Sequence, residues 1–565
     1  MKRSIFSIIA FSVASLPLIT NAGTLYFGGD ILTMVGKAPQ YAETLLVEKG
    51  IIDFVGDKAK AIAIMPDNTE LVDLKGKTLL PGFFDAHSHF LHTSIKLSTV
   101  NLDPMPAGNI TSIGDIIIAM KNELKANPRK DGEWLFGWGY DNGMLKENRH
   151  PNKFDLDKIS KTIPIAIYHF SGHGVVLNTQ ALKIMGFTDT SVAPEGGVIR
   201  RMPNSKEPSG ILEETSIYPV INKLLASAQG KKLVGYLLKS QEIYQSKGFT
   251  TMTEMASTPD AARGLMAFAK SGLLENDLVT MMIITMQDGA TTAKQYSREY
   301  KDHFRIGGGK INIDGGSPGR TAFLRAPYYT QGEGQKDDYR GYPSIEKQED
   351  LNAHVEKFYE LKTPVYIHAL GDAAIDNAII AVDSAQKKFP RDDIRTQLIH
   401  LQLLHDDQLD LLEGLDVTLT FQNTHNFYFS DFHNKYTFGP KRTEKLAPMK
   451  SAIKRGFSTT FHHDSPVHPV NQIDLMWIAT NRSSRSGKVY GAEEIITVYE
   501  ALRAATIEPA YQFFEENHKG SLEKGKLADL VILDKNPLKA AREVIRDIQV
   551  LQTIKEGNTV WSIQQ

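Results

Sequence analysis

The segment PGFFDAHSHF carries two histidines, His87 and His89, that are separated by one residue. The segment 83–89 has a strand-like composition, and side chains two positions apart on a strand lie on the same face. Both imidazoles can therefore approach one metal ion from the same side, as half of a zinc ligand set would. The pair alone is weak evidence, because the chain contains 17 histidines.

Four further residues able to bind a metal or move a proton lie next to strand-like runs. Taken singly, a strand-end histidine is most simply a buried structural residue, an aspartate a turn or helix cap, and a lysine a solvated charge. Barrel enzymes carry their active sites where strands end and loops begin, so the joint placement of these residues predicts one site. They are Lys310 in KINIDGG, His368 in PVYIHALGD, His400 in TQLIHLQ and Asp464 in FSTTFHHDSPV.

The middle of the chain alternates strand-like runs with helical patterns, which is typical of a parallel sheet. A (β/α)8 barrel needs eight strands and spends roughly 30 residues on each unit. The gap between His89 and Phe249 is several times longer, so we assign 163–170 to an insertion spanning about 91–245. The nine strand candidates are 83–89, 163–170, 249–255, 278–286, 309–314, 364–369, 397–402, 416–421 and 457–463.

Both ends of the chain consist of short β-rich runs divided by Gly, Asp and Pro. We expect 23–80 and 520–565 to form one small β domain that flanks a barrel over 81–519. The predicted fold class is therefore α/β: a (β/α)8 TIM-like barrel with a small β-sandwich domain formed by both termini and a large insertion after strand 1.

Composition narrows the class of protein. The chain has 565 residues, 41% of them hydrophobic and 23% charged, which is ordinary globular usage. The net charge of −2 gives no basic field for nucleic acid. The absence of cysteine excludes disulfides, thiolate metal sites and a cysteine nucleophile, so a metal must be bound by His, Asp, Glu or a modified Lys.

The first 22 residues have the pattern of a secretory signal peptide. Lys2 and Arg3 precede an apolar run from Ile5 to Ile19, and Thr20-Asn21-Ala22 supplies small residues for cleavage. The pattern predicts a periplasmic or secreted protein that has no membrane attachment after cleavage. A buried N-terminal helix or an uncleaved anchor is the alternative.

The motifs together, in this order, resemble the amidohydrolase superfamily. The resemblance runs from about Thr24 to Trp561 and is strongest to the hydrolases similar to N-substituted formamide deformylase, often called amidohydrolase family 3. Branch-level detail comes from GHGVVLNTQAL, KINIDGGSPGRTAFLRAPY and IHALGDAAI. These motifs are specific for fold and reaction class and much less specific for substrate.

The resemblance implies a metal centre with one or two divalent ions, zinc by preference. It implies that a carboxylated Lys310 bridges two metals in a binuclear site. Asp464 would contact the first metal and also handle the proton of the water, and His173 would contact substrate. The implied metal ligands are His87 and His89 for the more buried ion, Lys310 between the ions, His368 and His400 for the second ion, and Asp464.

These expectations describe an enzyme that hydrolyses a carbon–nitrogen bond other than a peptide bond in a small molecule. Bound Zn²⁺ lowers the pKa of its water to about 7 and polarises a carbonyl, so hydroxide is available without a protein nucleophile. The alternatives are a cyclic amidase, a deaminase or an esterase on the same fold, or a non-catalytic periplasmic binding protein. The sequence leaves the oligomeric state open, with a homodimer as one possibility.

Three points stay open from the sequence. Glu254 in FTTMTEMAS is the rival to Lys310 as the bridging carboxylate. His462 and His463 stand where this branch usually has small residues, and they could crowd the site, hydrogen-bond to Asp464 or add a ligand. Asp314 could orient substrate or order the loop after strand 4.

Overall fold

The computed structural model describes residues 23–564 except 106, 131, 195, 228–229, 285–293 and 333–334. The predicted signal peptide, residues 1–22, lies outside the described residues. Within the described part of the chain, no helix is long and apolar enough to cross a bilayer.

The described strands form three sheets. In chain order they are β1 (Thr24–Leu32), β2 (Tyr41–Glu48), β3 (Ile51–Gly56), β4 (Glu70–Asp73), β5 (Thr78–Pro81), β6 (Phe83–Phe84), β7 (Val100–Asn101), β8 (Leu135–Tyr140), β9 (Ile165–His169), β10 (Gly174–Leu177), β11 (Gly197–Arg201), β12 (Pro208–Glu214), β13 (Phe249–Ser257), β14 (Asp277–Ile283), β15 (Phe304–Asn312), β16 (Val365–Ala369), β17 (Thr396–His400), β18 (Val417–Phe421), β19 (Thr459–Phe461), β20 (Leu530–Leu533), β21 (Val550–Lys555) and β22 (Asn558–Ser562).

The described α-helices lie mainly between strands of the parallel sheet and in the inserted region. They are α1 (Lys58–Ile64), α2 (Phe90–Lys96), α3 (Ile113–Ala126), α4 (Lys153–Asp157), α5 (Thr179–Met185), α6 (Tyr218–Ser227), α7 (Lys231–Gln245), α8 (Pro259–Lys270), α9 (Gln348–Glu360), α10 (Asp372–Lys388), α11 (Asp406–Leu412), α12 (Thr424–Tyr428), α13 (Ser430–Phe432), α14 (Gly439–Thr443), α15 (Met449–Lys454), α16 (Gln472–Asn481), α17 (Val498–Ala505) and α18 (Ile507–Gln512).

Eight strands form one parallel sheet in the order β6-β13-β14-β15-β16-β17-β18-β19. Each strand pairs with the next one of this sheet along the chain, which confirms the predicted α/β class. Eight of the nine strand candidates overlap these strands, and the ninth contains β9, which belongs to another sheet. The loops after β6 and β19 meet, because the His89 backbone N–H donates to the Ser465 carbonyl at 2.8 Å.

The fourth strand of this sheet, β15, is longer than predicted. It begins at Phe304 rather than at residue 309 and includes three consecutive glycines. A Cβ at Gly308, whose φ is +148°, would lie 2.4 Å from the Pro364 carbonyl oxygen, and one at Gly309 would lie 2.6 Å from the ring of Phe358. Glycine therefore permits close approach of the neighbouring strand, and a composition rule that treats glycine as a strand breaker misses the first residues of this strand.

Helix α10 covers the parallel sheet with one apolar face. In α10, Ala374, Ile375, Ala378, Ile379 and Val382 are buried. This spacing of three and four residues places them along one side of the helix, which packs on the sheet and leaves the polar side to solvent.

A second sheet, in the order β11-β12-β10-β9-β8-β7, lies in the chain between β6 and β13. It pairs β7, β8 and β9 in parallel and the remaining strands antiparallel. The short connection between β9 and β10 carries His173, and β12 ends at Glu214. This sheet thus brings a histidine and a carboxylate to the same place.

The third sheet uses strands from both ends of the chain, with β20 antiparallel to β5. A buried charge network connects it to the parallel sheet. Lys555 on β21 lies 2.8 Å from a carboxylate oxygen of Asp277, the first residue of β14, and 3.1 Å from Asp529. Lys519 also contacts Asp277, so two ammonium groups compensate this buried carboxylate.

Candidate metal centre

The residues singled out from the sequence converge at the C-terminal ends of the parallel strands. All of them are buried or nearly so, which places their charges and ring nitrogens in a low-dielectric setting. They are His87 and His89 after β6, Glu254 on β13, Lys310 on β15, His368 on β16, His400 at the end of β17, and His462 and Asp464 after β19.

Asp464 is the centre of this group. Its Oδ1 lies 3.1 Å from His87 Nε2 and 3.3 Å from His89 Nε2, and its Oδ2 lies 3.9 Å from His400 Nδ1. Gln422, which follows β18, donates from Nε2 to Oδ2 at 3.1 Å. One carboxylate therefore connects the first, sixth, seventh and eighth strands of the sheet.

The backbone at two of these residues is in the left-handed region, with φ of +79° at His400 and +57° at Asp464. Such conformations cost about 1–3 kcal/mol for residues other than glycine and cluster at functional sites. Here they turn both side chains toward the same point at the end of the sheet.

The environment of Asp464 favours its ionised form. Burial alone would raise the pKa of this carboxyl, but the contacts with His87, His89 and His400 outweigh burial and hold the pKa well below its usual range. Burial lowers the pKa of His87 and of His400 well below the usual value, so both rings are neutral. Neutral imidazoles and an ionised carboxylate are the forms that bind a metal.

The donor atoms fit a metal ion, because many of them are buried without any hydrogen bond. His87 Nε2 and Asp464 Oδ1 are 3.1 Å apart but not aligned for a hydrogen bond. Buried polar atoms are rarely left without a partner, and a bound cation would give one nitrogen of each ring and the Asp464 oxygen a partner. In the described part of the chain the unpartnered atoms include Nδ1 and Nε2 of His87, His400 and His462, Nε2 of His368, Nδ1 of His89 and Oδ1 of Asp464.

His89 faces two carboxylates. Its Nε2 lies near Asp464, whereas its Nδ1 lies 3.8 Å from Oε1 of Glu254. Glu254 also accepts the Leu91 backbone N–H at 2.6 Å and lies 3.9 Å from His92 Nδ1. Burial would lower the pKa of His89, but the two carboxylates raise it to about 9. A carboxylate behind a histidine orients its ring, and Glu254 lies in such a position behind His89.

Lys310 and His368 occupy neighbouring strands. Lys310 is 2% exposed, and burial lowers the pKa of its amine to about 7, against the opposing effect of Asp464. A large fraction of the amine is therefore uncharged at neutral pH, as reaction with CO₂ requires. The ring of His368 lies 4.3 Å from that of His400, centre to centre.

Asp314 supports this side of the site. Its carboxylate accepts backbone N–H groups of Leu370 and Gly371 at 3.0 and 2.9 Å, and Oδ1 lies 3.4 Å from Nε2 of His368. Burial raises the pKa of Asp314 to about 7. The sequence left two roles open for Asp314, orienting substrate or ordering a loop. These contacts favour the second role, because they connect the loops after β15 and β16.

His173 reaches the site from the inserted sheet. Its Nδ1 lies 2.7 Å from Oε2 of Glu214, and its ring centre lies 5.4 Å from that of His368. His169 instead bonds to Ser171 and Asn142 through its two nitrogens, at 2.7 and 3.0 Å. Both ring nitrogens of His169 are therefore engaged, whereas Nε2 of His173 is still available to face the candidate centre. Glu214, its partner, was missed because it lies 41 residues away in sequence.

The neighbouring histidines after β19 point in different directions. The ring of His463 packs on Phe249 at 5.6 Å, and its Nδ1 accepts the Ser465 N–H at 3.0 Å. The ring of His462 lies 4.7 Å from that of His87 and 4.9 Å from that of His400. Because side chains alternate beyond the strand, His463 points into the protein core and His462 points toward the candidate metal centre.

A cleft beside this cluster is lined by aromatic and charged side chains that are scattered along the sequence. His468 contacts the rings of Phe170 and Tyr428, and Arg485 lies over the Tyr428 ring at 4.8 Å. Burial raises the pKa of Asp141, another lining residue, to about 6. The short interval between Asp464 and His468 is the sequence signal that could have identified this wall.

A separate group of acids and a histidine, formed by Asp277, His303 and Glu556, also has metal-like spacing. Lys519 and Lys555 already contact Asp277, so its charge is compensated by ammonium groups. The structure therefore favours the cluster around Asp464 as the candidate metal centre.

Comparison with known proteins agrees with this geometry. The N-substituted formamide deformylase of Arthrobacter pascens is 25% identical over 537 residues, covering 91% of this chain and 94% of that protein. Protein LONG AFTER FAR-RED 3 of Arabidopsis thaliana is 25% identical over 568 residues, covering 95% and 94%. The crystal structure of an uncharacterized metal-dependent hydrolase from Pyrococcus horikoshii OT3 superposes with a TM-score of 0.72 at 25% identity, covering 92% of this chain and 99% of that one.

The family comparison settles the wider class. The model of the amidohydrolase family matches residues 70–561, which is most of the chain and includes every residue of the candidate centre. Family membership implies a TIM-like barrel and metal-dependent hydrolysis. With the histidines and Asp464 gathered at the C-terminal ends of the parallel strands, the chain belongs to the amidohydrolase family.

Proposed function

We propose that this protein hydrolyses a carbon–nitrogen bond of the amide type in a small molecule, with zinc as the metal. The observation that supports the proposal most strongly is the set of unpartnered ring nitrogens around the ionised Asp464 carboxylate. Such a set has no use in a closed hydrophobic core, where each unpartnered polar atom is costly. The name of the Arthrobacter pascens relative favours N-substituted formamides as first substrates to test.

A divalent ion in this cluster would polarise the substrate carbonyl and lower the pKa of a water molecule to about 7. His87, His89, His368, His400 and Asp464 are the proposed ligands. Asp464 accepts the proton of the attacking water on its carboxylate and returns it to the leaving nitrogen. Gln422, which donates to Oδ2, keeps the carboxylate oriented during both transfers.

Lys310 has a different task in this proposal. Its buried amine, with a pKa of about 7, would react in its neutral form with CO₂ to give a negatively charged carbamate and one proton, which is released. The carbamate would be the shared ligand of two ions, whereas an ammonium group would repel them. Glu254, the rival for this role, is already engaged with His89 and the Leu91 N–H.

His173 is proposed to bind the substrate carbonyl group or the negative charge that develops on it. Glu214 fixes the ring by accepting from Nδ1, which directs Nε2 away from Glu214. Burial lowers the pKa of His173, but the Glu214 carboxylate outweighs burial and raises it, so the ring can carry a proton to donate. The residue is thus positioned as a hydrogen-bond donor rather than as a metal ligand.

The experiment combines metal analysis with a substrate screen on purified protein. The panel contains N-formyl and N-acyl amines, cyclic amides, aminated heterocycles and simple esters, and both products are quantified. We expect release of an amine and a carboxylic acid in equal amounts from an N-acyl or N-formyl amine. Ring opening, ammonia release or ester cleavage would assign the protein to another reaction. Bound substrate without turnover in metal-loaded protein would indicate a binding protein.

The architecture proposed around this site is a closed eight-stranded barrel over 81–519, with an insertion over about 91–245 and a β-sandwich domain from 23–80 and 520–565. The proposal for localisation is export to the periplasm or medium, and for assembly a homodimer. N-terminal sequencing of exported protein is expected to begin at Gly23, after removal of 1–22. An intact Met1 on the exported protein would contradict cleavage.

A further inference from the structure

The ring of His462 lies as close to the rings of His87 and His400 as those two rings lie to each other. The ring centres of His87, His400 and His462 are separated by 4.7, 4.9 and 5.0 Å, which is close to an equilateral triangle. The ring planes are inclined by 62°, 65° and 79° to one another, so none of these rings stacks on another. Three imidazoles that share one tetrahedral ion through bonds of about 2.0–2.1 Å have their ring centres about 5 Å apart.

Asp464 completes this arrangement on the fourth side. One ligand atom from each of His87, His400, His462 and Asp464 can be chosen so that all four lie within 4.8 Å of one another. All four residues are buried. The group therefore has the donor number and donor types of a four-coordinate site built from nitrogen and oxygen ligands.

The other roles that the sequence left open for His462 do not agree with its contacts. Neither ring nitrogen of His462 has a hydrogen-bond partner in the described ranges, so the ring makes no hydrogen bond to Asp464. Filling space would need only a carbon ring, and burying two ring nitrogens without partners for that purpose is costly. His463 differs in that its Nδ1 accepts a hydrogen bond and its ring packs on aromatic rings, so only its Nε2 is without a partner.

The backbone keeps the His462 ring in this place. The His462 N–H donates to the Phe421 carbonyl at 3.0 Å, continuing the ladder between β18 and β19. Phe461 before it is buried, and His463 after it turns toward Phe249 and Tyr244. The direction of the His462 side chain is therefore determined by the strand and does not depend on a mobile loop.

We propose that His462 is a direct ligand of the metal ion bound by His87, His400 and Asp464. This centre then has three imidazoles and one carboxylate on one ion. It places His87 and His400, which the resemblance assigned to different ions, on the same ion, and His462 is the ligand that the resemblance did not imply. The inference rests on the proposed function, because it needs the cluster around Asp464 to bind a metal. An added imidazole strengthens binding of zinc, copper and nickel relative to magnesium and manganese, which prefer oxygen ligands.

The test compares His462→Ala with His463→Asn in the full-length mature protein. In His463→Asn the side-chain oxygen can still accept the Ser465 N–H, so this variant controls for a change of a buried histidine at the next position. Zinc affinity is measured by competition with a chromophoric chelator, and each variant is also loaded with Co²⁺ for its visible absorption spectrum. Neither readout requires a substrate.

We expect zinc affinity to fall by at least about 10–100-fold in His462→Ala, since loss of an outer partner of a ligand already has an effect of this size. The Co²⁺ spectrum should change in band position and intensity, whereas His463→Asn should keep the parent spectrum. An affinity within twofold of the parent together with an unchanged spectrum in His462→Ala would overturn the proposal.

A crystal structure of the metal-loaded parent, with data at the zinc edge, tests the same point without any substitution. A His462 nitrogen at about 2.0–2.1 Å from a zinc peak supports the proposal, even if His462→Ala fails to fold. A zinc peak bound by His87 and Asp464 with His462 farther than a bond length overturns it and leaves the proposed function intact. Parent protein that binds no zinc at all overturns the proposed function as well.

Discussion

Replacement of Asp464 by asparagine tests whether the Asp464 carboxylate has a catalytic role or only a structural one. Asparagine has the same shape, and its side-chain oxygen can still accept the Gln422 N–H that now bonds to Oδ2. It cannot accept a proton from water at neutral pH. The substitution therefore removes proton transfer and one negative charge and leaves the packing unchanged.

The expected fall in kcat follows from the loss of proton transfer. Proton transfer by a positioned side chain contributes about 10²–10⁴-fold, so kcat should fall by that factor, which corresponds to about 3–5 kcal/mol of barrier. Most of the metal should remain, because His87, His89, His368 and His400 are intact. A purely structural aspartate at a loop would instead show a loss of about 0.5–2 kcal/mol in the free energy of unfolding, with activity preserved.

The assay is turnover of Asp464→Asn on the best substrate, with metal content and thermal unfolding measured on the same preparation. Asp372→Asn is the matched control: its carboxylate is also buried, accepts the Arg325 N–H at 2.7 Å and lies 3.1 Å from Nε2 of His405. The control should stay within a few-fold of the parent. Turnover of folded, metal-loaded Asp464→Asn within a few-fold of the parent would refute the assignment.

Three further predictions test separate parts of the account. Lys310→Ala should lose metal and activity together, and short carboxylic acids should partly restore both; unchanged metal content would return the bridging role to Glu254. His173→Asn should reduce kcat/KM by about 10–100-fold through loss of a charged hydrogen bond, with metal content unchanged; a loss of metal would show that His173 is a ligand. Asp141 has a pKa raised by burial from 3.8 to about 6, so the folded state binds more protons than the unfolded state in this window. The free energy of unfolding should therefore fall by up to about 3 kcal/mol as pH rises from about 4 to about 6, and Asp141→Asn should remove this part of the pH dependence; denaturant titrations that give parallel curves for the two proteins would contradict it.

The sequence predicted the strand positions of the centre well, for a physical reason. A buried parallel strand is an apolar run, and the polar residue that ends it must lie at the sheet edge where the loop begins. His368 and His400 end such runs, and Asp464 follows one. The order of the strands along the chain then brings these edges together, which is why residues far apart in sequence share a site.

Other features depend on contacts that a single sequence does not reveal. Alternation predicts that His462 and His463 point to opposite sides, but which of them faces the cluster depends on how β19 lies against β18. Glu254 contacts His89 because the Leu91 N–H at the start of α2 holds its carboxylate. Glu214 approaches His173 through antiparallel pairing of β10 and β12, which are separated by about 30 residues of other structure.

The left-handed backbone at His400 and Asp464 was not predictable either. Neither residue is glycine, and the conformation is maintained by tertiary contacts that offset its local cost. The same holds for β15, whose glycines are favoured by close packing against the Pro364 carbonyl and Phe358. Local propensity fails at such positions because tertiary packing is the stronger effect.

The most direct test of the central claim is removal and return of the metal while hydrolysis is followed. Purified protein is dialysed against a chelator at a pH where it stays folded, and Zn²⁺ is then added back in steps with turnover and bound metal measured at each step. We expect loss of activity without unfolding and recovery in proportion to bound zinc, with saturation at one or two ions for each chain. In His87→Ala we expect no recovery at the same zinc concentrations. Full turnover by folded protein that contains no metal would contradict the claim that this protein is a metal-dependent hydrolase acting through the cluster around Asp464.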